Sequence, residues 1–481
     1  MKKHLFFVIF LVPAHLAGAQ NVGIGTTTPQ AKLHVSEGST VFTAAGDTPH
    51  PSDASAVPVS GEGRRLMWYA DKAAFRAGYT IGTQWDTGNV GLYSIAMGES
   101  TVASDVGAAA IGAGARATGS VSFATGYNTF ASGGYSVATG NQSVASGENA
   151  TAIGYKTEAS GDYSTTMGYE SRGSGSYAIA AGFQSVASGR DAAIAMGYKA
   201  EASGTSSIAI GYQSSASFIN AMAIGNMARA TNWDSKAIGD HVNAFGYGAT
   251  AIGTYSDAEG NGSLVLGTQL KAEKDASFAM GRYAHSIHRG AFVIGDLESH
   301  SAEIVSSSSE NEMSMRFRGG YRLFTNGAST IGASLAPGGT SWGTISDSTR
   351  KENFRPADGR DFLKKIASLR LGSWNYKGQD KTAHRHYGPM AQEFFAAFGY
   401  DGIGVIGTDT TITTADIDGV MMIAIKALIS ENEELKTRSK KLEAESSGWK
   451  EAAAELTRRM ARLEELLESS EPILSARQHQ D

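Results

Sequence analysis

Ser136-Val137-Ala138-Thr139-Gly140-Asn141-Gln142-Ser143-Val144-Ala145-Ser146-Gly147 carries two glycines seven residues apart, and the chain repeats this arrangement through its middle third. Glycines after an apolar or small residue fall at Gly98, Gly112, Gly126, Gly140, Gly154, Gly168 and Gly182, each step fourteen residues. One extra residue intervenes, and the series resumes at Gly197, Gly211, Gly225, Gly239, Gly253, Gly267 and Gly281. A second series sits seven residues later, at Gly119, Gly133, Gly147, Gly161, Gly175, Gly189 and Gly204, so each unit is two half-repeats. Regular phase of this kind is the signature of a stacked repeat fold.

Within the first half-repeat, Ser207-Ile208-Ala209-Ile210-Gly211 alternates larger residues with Ala, which is strand period. The second half, as in Val144-Ala145-Ser146-Gly147, alternates smaller side chains and ends on a Gly expected to supply a backbone conformation closed to other residues. Two short strands and two tight turns make one coil. One face is expected to stack Val, Ile, Met and Phe from coil to coil. The other, of Ala and Ser, is small enough to meet another surface closely. A Gly/Ser/Ala-rich stretch can also be a flexible linker, but a linker needs no register. Calcium-binding rolls need a nine-residue Asp-bearing unit, which is lacking.

This region, about Gly91 to Gly281, resembles the head repeats of YadA-like trimeric adhesins in period and residue type. The resemblance implies a left-handed parallel β-roll with three chains side by side. The C-terminus departs from those adhesins, for no four-strand membrane-anchor segment is visible there.

The remaining composition sets bounds. With 481 residues the chain is too long for one core, and its 59 Gly and 18% charged residues show that backbone geometry is being specified. A net charge of -6 argues against nucleic acid or anionic membrane as partners. Lys2 and Lys3, the apolar run Leu5 to Val12 and Ala17-Gly18-Ala19 read as a signal peptide over residues 1–19, which places the chain in a secreted or cell-surface location. There are no cysteines, so no disulfide contributes, and no later run is long enough to be a transmembrane helix.

Residues 20–90 read as an N-terminal cap and linker. Val22-Gly23-Ile24-Gly25 is no phosphate loop, because Pro29 and three Thr deny the following helix. Arg64, Arg65, Trp68, Tyr69, Phe75, Arg76 and Trp85 are expected to close the open end of the roll rather than to form a ligand surface. The roll itself is assigned to 91–284 and a β connector to 285–345. His285 and His288 are too few for a metal site and are read as surface or capping residues. Neither a metal nor a cofactor is expected.

At Ser346 charge and helix formers rise. Ser346-Asp347-Ser348-Thr349-Arg350-Lys351-Glu352-Asn353, then Leu371-Gly372-Ser373-Trp374-Asn375-Tyr376, Tyr387-Gly388-Pro389-Met390-Ala391-Gln392-Glu393 and a helix from about Asp416 follow in order. This set resembles the endosialidase-type C-terminal intramolecular chaperone, a self-cleaving peptidase family also found in tail spikes, and implies an α+β chaperone domain over 346–424. Ser346 and Lys351 can form a dyad if the intervening turn brings them together, with Ser346 as nucleophile and a desolvated Lys351 as base. The cut lies beside Ser346, on its Ile345 or its Asp347 side. His384, Arg385 and His386 are expected to pack or face solvent. From 425 to 481, Leu428, Leu435, Leu442, Trp449, Leu456 and Leu463 recur every seven residues, three behind Ile425, Asn432, Ser439, Ser446, Ala453, Met460 and Leu467, which is a coiled coil. Its three strands are inferred from the two resemblances.

The whole reads as a mainly β, trimeric fibre with an adhesin-like role, an unknown surface or glycan ligand, and a single self-cleavage as its only enzymatic act. The rival is a polysaccharide-degrading, tail-spike-like fibre. Glycosidases need paired carboxylates, and Glu148, Glu158, Asp162, Glu170, Asp191 and Glu201 read as solvated decoration near turns.

Overall fold

Alternation of small and large residues, interrupted every seven positions, allows only short strands joined by sharp corners. The computed structural model describes residues 21–50, 53–297 and 303–475, and the signal peptide expected at 1–19 lies outside them. The chain forms two units that divide between Arg318 and Gly319.

In the first unit most coils have one five-residue strand, such as Val137–Asn141, and one two-residue strand, such as Val144–Ala145, which merge into nine-residue strands at Lys236–Ala244 and Thr250–Ala258. Each pairs in parallel with its equivalents one coil away: Val137 with Phe123 and Thr151, Val144 with Phe130 and Glu158. This is a parallel β-solenoid. The fifteen-residue step pairs Ile179 with Ile194, the extra residue lying in the corner at Arg190-Asp191. Two further coils continue the stack through Phe292–Gly295 and Met313–Arg316, residues assigned above to the connector.

The faces divide as the alternation requires. Ala138, Ala145, Ala152 and Ala159 point into the coil with no exposure, beside Ser136, Ser143 and Thr157. The larger residues Ile153 and Met167 point outward, each 41% exposed, and stack from coil to coil. The Ala and Ser surface thus meets its counterpart across the same coil, which brings the two strands close together. Where one interior residue grows, another shrinks. Thr166 replaces the usual Ala, and Gly173 faces it; a Cβ on Gly173 would lie 2.8 Å from Thr166 Oγ1.

The corners correct one expectation. Gly140 does sit at φ +114, but Gly147 has an ordinary backbone. It is Gly because a Cβ would run into the carbonyl oxygen of Gly161 in the next coil. The left-handed corner positions are held by residues such as Gln142 (φ 56) and Asn149 (φ 55), whose strain is roughly 1–2 kcal/mol each. Hydrogen bonds from Gln142 N to Tyr127 O and from Asn149 N to Gly134 O, both 2.8 Å, hold them there.

Ahead of the regular coils a hairpin joins the stack, with Tyr69, Arg76 and Trp85 buried but Arg64 and Trp68, also expected to close the end, exposed. Gly63–Tyr69 pairs antiparallel with Ala74–Thr80, which joins the stack in parallel at Ile95–Glu99. Trp85 is fully buried and its indole N–H donates to Thr101 O at 2.9 Å. Arg76, also fully buried, donates to Ser94 and to Ala103 O, and burial lowers its pKa to about 10. Ahead of this cap, Val22–Ile24 pairs in parallel with Leu33–Val35.

The second unit opens with an antiparallel sheet of Tyr321–Phe324, Gly332–Leu335 and Gly343–Thr344. Helix α1 (Gly359–Ser368) follows, then the pair Gly372–Trp374 and His386–Gly388, helix α2 (Ala391–Phe398) and helix α3 (Thr414–Ser475). Phe394 and Phe398 are buried, and Phe362 meets Phe398 at 5.2 Å between ring centres. Along α3 the heptad residues Leu428 to Leu463 are exposed in the single chain.

Because Thr166 and Gly173 share one interior volume, Gly173→Ala should destabilise the fibre by about 1–3 kcal/mol, the usual effect of overpacking. Adding Thr166→Ala should recover most of that loss in thermal unfolding of the full chain. Strictly additive effects would contradict the packing described.

Candidate functional site

The site begins where the second unit's sheet ends. Ile345 N donates to Gly332 O at 3.3 Å, so the chain is held to the sheet up to the residue before Ser346. A short 3-10 turn, Ser348–Arg350, then reverses it. Asp347 caps that turn, accepting from Thr349 N at 2.9 Å and Thr349 Oγ1 at 2.8 Å, and Arg350 lies 3.6 Å from its other oxygen. These bonds, the one from the Thr349 amide foremost, hold the Asp347 carboxyl below its usual range. The reversal returns Lys351, whose Nζ donates to Ser346 Oγ at 2.6 Å.

The two residues predicted as a dyad are therefore in direct contact. Both are exposed in the single chain. No ion pair to Lys351 occurs among the described residues. A lysine works as a base only once desolvation lowers its pKa from about 10.4.

His384, Arg385 and His386 pack elsewhere. Arg385 donates to Ser373 O at 3.0 Å and Asn375 Oδ1 at 3.2 Å, and His386 stacks on Trp374 with 4.8 Å between ring centres. His288 hydrogen-bonds Ser307 Oγ at 3.0 Å, burial lowers the pKa of His285, and the described residues hold no cluster suited to a metal ion. The acidic residues of the roll link coils: Glu158 to Arg172 at 3.4 Å, Glu170 to Lys156 at 3.8 Å, Asp162 to the amide of Glu148 at 2.9 Å.

Two structural supports escaped the sequence reading. Asp347 was taken only as a residue flanking the cut, although an Asp two positions before a Thr amide is a recognisable cap. Glu393 pairs with Arg370, which lowers its pKa and ties α2 to the chain ahead of Gly372; residues this far apart in sequence give no local signal.

Two family models match parts of the chain. Residues 346–402 match the model of the chaperone of endosialidase, and segments 90–115, 117–143, 145–171, 174–200, 191–214, 202–228 and 244–269 match the YadA head domain repeat. The chain joins a YadA-like head to an endosialidase-type chaperone segment. No curated protein matches the chain. Among the described residues no helix is long and apolar enough to cross a membrane.

Asp347→Ala should speed hydrogen exchange at the Thr349 amide, because the cap on that donor is gone. A depressed carboxyl pKa also sets a pH window: the cap's contribution is present above about pH 4, the unfolded value, and fades as pH falls through the lower folded one. Exchange at Thr349 that is unaltered by the substitution would contradict the capping role.

Proposed function

We propose that the chain is an exported trimeric surface fibre of adhesin-like role, whose C-terminal segment registers the three chains and then cuts itself off beside Ser346. The observation that carries this reading is the 2.6 Å contact of Lys351 Nζ with Ser346 Oγ inside the segment that matches the endosialidase chaperone. Three-chain assembly is supported by the likeness to YadA heads and by apolar surface left open in one chain: the Ile153 and Met167 columns of the roll and the α3 heptads.

In the single chain the dyad faces water. A lysine acts as a base once burial favours its neutral amine, so assembly by neighbouring chains switches the chemistry on. The neutral amine takes the Ser346 hydroxyl proton, and Oγ attacks the Ile345 carbonyl. The Ile345–Ser346 peptide bond breaks, the Ser346 nitrogen receives the proton from Lys351, and an ester joins the Ile345 carbonyl to Oγ. Water hydrolyses the ester to an Ile345 carboxylate and a free Ser346 hydroxyl. Loss of the assembly template leaves the fibre kinetically trapped. Cleavage on the Asp347 side would instead give a fragment beginning at Asp347, and N-terminal sequencing separates the two.

The wild-type chain is expected to yield a fragment of 136 residues, 346–481, on a denaturing gel. Ser346→Ala and Lys351→Met should run uncut while still forming trimers by light scattering. An uncut wild-type trimer, or cutting that survives both substitutions, would contradict the mechanism.

A further inference from the structure

The second-corner glycine series is interrupted after Gly204, by Phe218 and Asn232, before it resumes at Gly246 and Gly260. Earlier corners read Ser-Gly, as at Ser146-Gly147 and Ser203-Gly204, whereas the next three read Ser217-Phe218-Ile219, Thr231-Asn232-Trp233 and Phe245-Gly246-Tyr247. Their large side chains are 39% to 52% exposed. The corners are stacked: Asp234 N donates to Ile219 O at 3.1 Å and Gly248 N to Trp233 O at 2.9 Å. Ile219, Trp233 and Tyr247 therefore form one column along the roll, about 4.8 Å apart, the spacing of paired strands.

This column differs from the aromatic ladder elsewhere on the roll. From Tyr155 through Tyr169, Phe183 and Tyr198 to Tyr212, successive ring centres are 4.8–5.0 Å apart with planes within 16° of parallel, so the rings cover each other's faces. That ladder stiffens the roll and offers only ring edges. Phe218, Trp233, Phe245 and Tyr247 have no ring or cation partner among the described residues, and about half of each side chain is open to solvent.

We propose that this corner binds a neutral carbohydrate chain, with Trp233 and Tyr247 stacking against the C–H faces of successive sugar rings. The charge pattern selects this ligand. Across residues 217–220, 231–234 and 245–248 the one ionised side chain is Asp234, and Lys236, whose Nζ donates to Asp234 O at 3.4 Å, adds a single cation rather than the cluster that sulfated glycans, nucleic acids or anionic lipids require. An extended peptide added by strand pairing is disfavoured, because the corner's backbone groups bond from coil to coil. Hydrogen-bonding groups for sugar hydroxyls are at hand. The Trp233 indole N–H and the Tyr247 hydroxyl have no partner among the described residues. Asn261, whose Oδ1 accepts from Tyr247 N at 3.0 Å, keeps its amide N–H groups unpaired there.

The proposal rests on the surface-fibre reading for access to such a ligand, and its test is separate. The full-length trimer is applied to an array of neutral, sialylated and sulfated oligosaccharides. Capture of neutral glycans is expected, weakened at least tenfold by Trp233→Ala with Tyr247→Ala, largely retained in Trp233→Phe and unchanged in Tyr198→Ala, a ring of the closed ladder. Absence of neutral-glycan capture, capture indifferent to the double substitution, or dissociation of the trimer by it would each overturn the proposal. Light scattering and the cleavage gel report independently on the fibre reading, so its failure is not confused with loss of binding.

Discussion

The close approach of two backbones within each coil is the constraint on which the structure depends. Ala138 facing across to Ala145, repeated coil after coil, leaves an interior too narrow for any large side chain. Alanine contributes little by burial, so the coil is held by its ladder of backbone bonds, such as Val137 N to Ala150 O and Val144 N to Thr157 O, both 2.8 Å. The same closeness explains the pairing of Thr166 with Gly173 and the outward placement of Ile and Met, while Gly147 answers to the approach of the next coil. A strand that buries its small residues must display its large ones. The display face then becomes the natural place for chains to meet.

A stack of near-identical coils also creates a hazard. Slipping one chain by a whole coil would keep almost every contact, and parallel pairing between distant residues is slow to form. Irregular coils, such as the one with fifteen residues, mark the register but do not impose it. Assembly from one end would remove the ambiguity, and in the proposed function the long helix α3 and the segment at Ser346 supply that end. A dyad formed in the single chain, yet exposed to water, suits a switch that acts after assembly and not before it.

The sequence made the roll legible because its geometric demands fall on glycine and alanine, whose spacing can be counted. The role of Gly147 was misjudged, since positive φ and close approach both select glycine and only the neighbouring coil tells them apart. The left-handed corners at Gln142 and Asn149 were invisible, as their conformation is enforced by the coils above and below. At the candidate site Ser346 and Lys351 were readable from an ordered motif, whereas the Asp347 cap and the Arg370–Glu393 pair depend on how the chain turns back on itself. The aromatic corners were hidden in plain view: the interruption of the glycine series at Phe218 and Asn232 was visible, but its meaning required knowing that those positions lie side by side.

The central claim is that three chains must assemble before Ser346 becomes reactive. Refolding the full chain at a series of concentrations, while following trimer formation by light scattering and fragment release by quenched gel samples, tests it directly. The account predicts that cleavage lags behind trimer formation and that its onset comes sooner as chain concentration rises. Cleavage at a rate independent of concentration, in chains still monomeric, would contradict it.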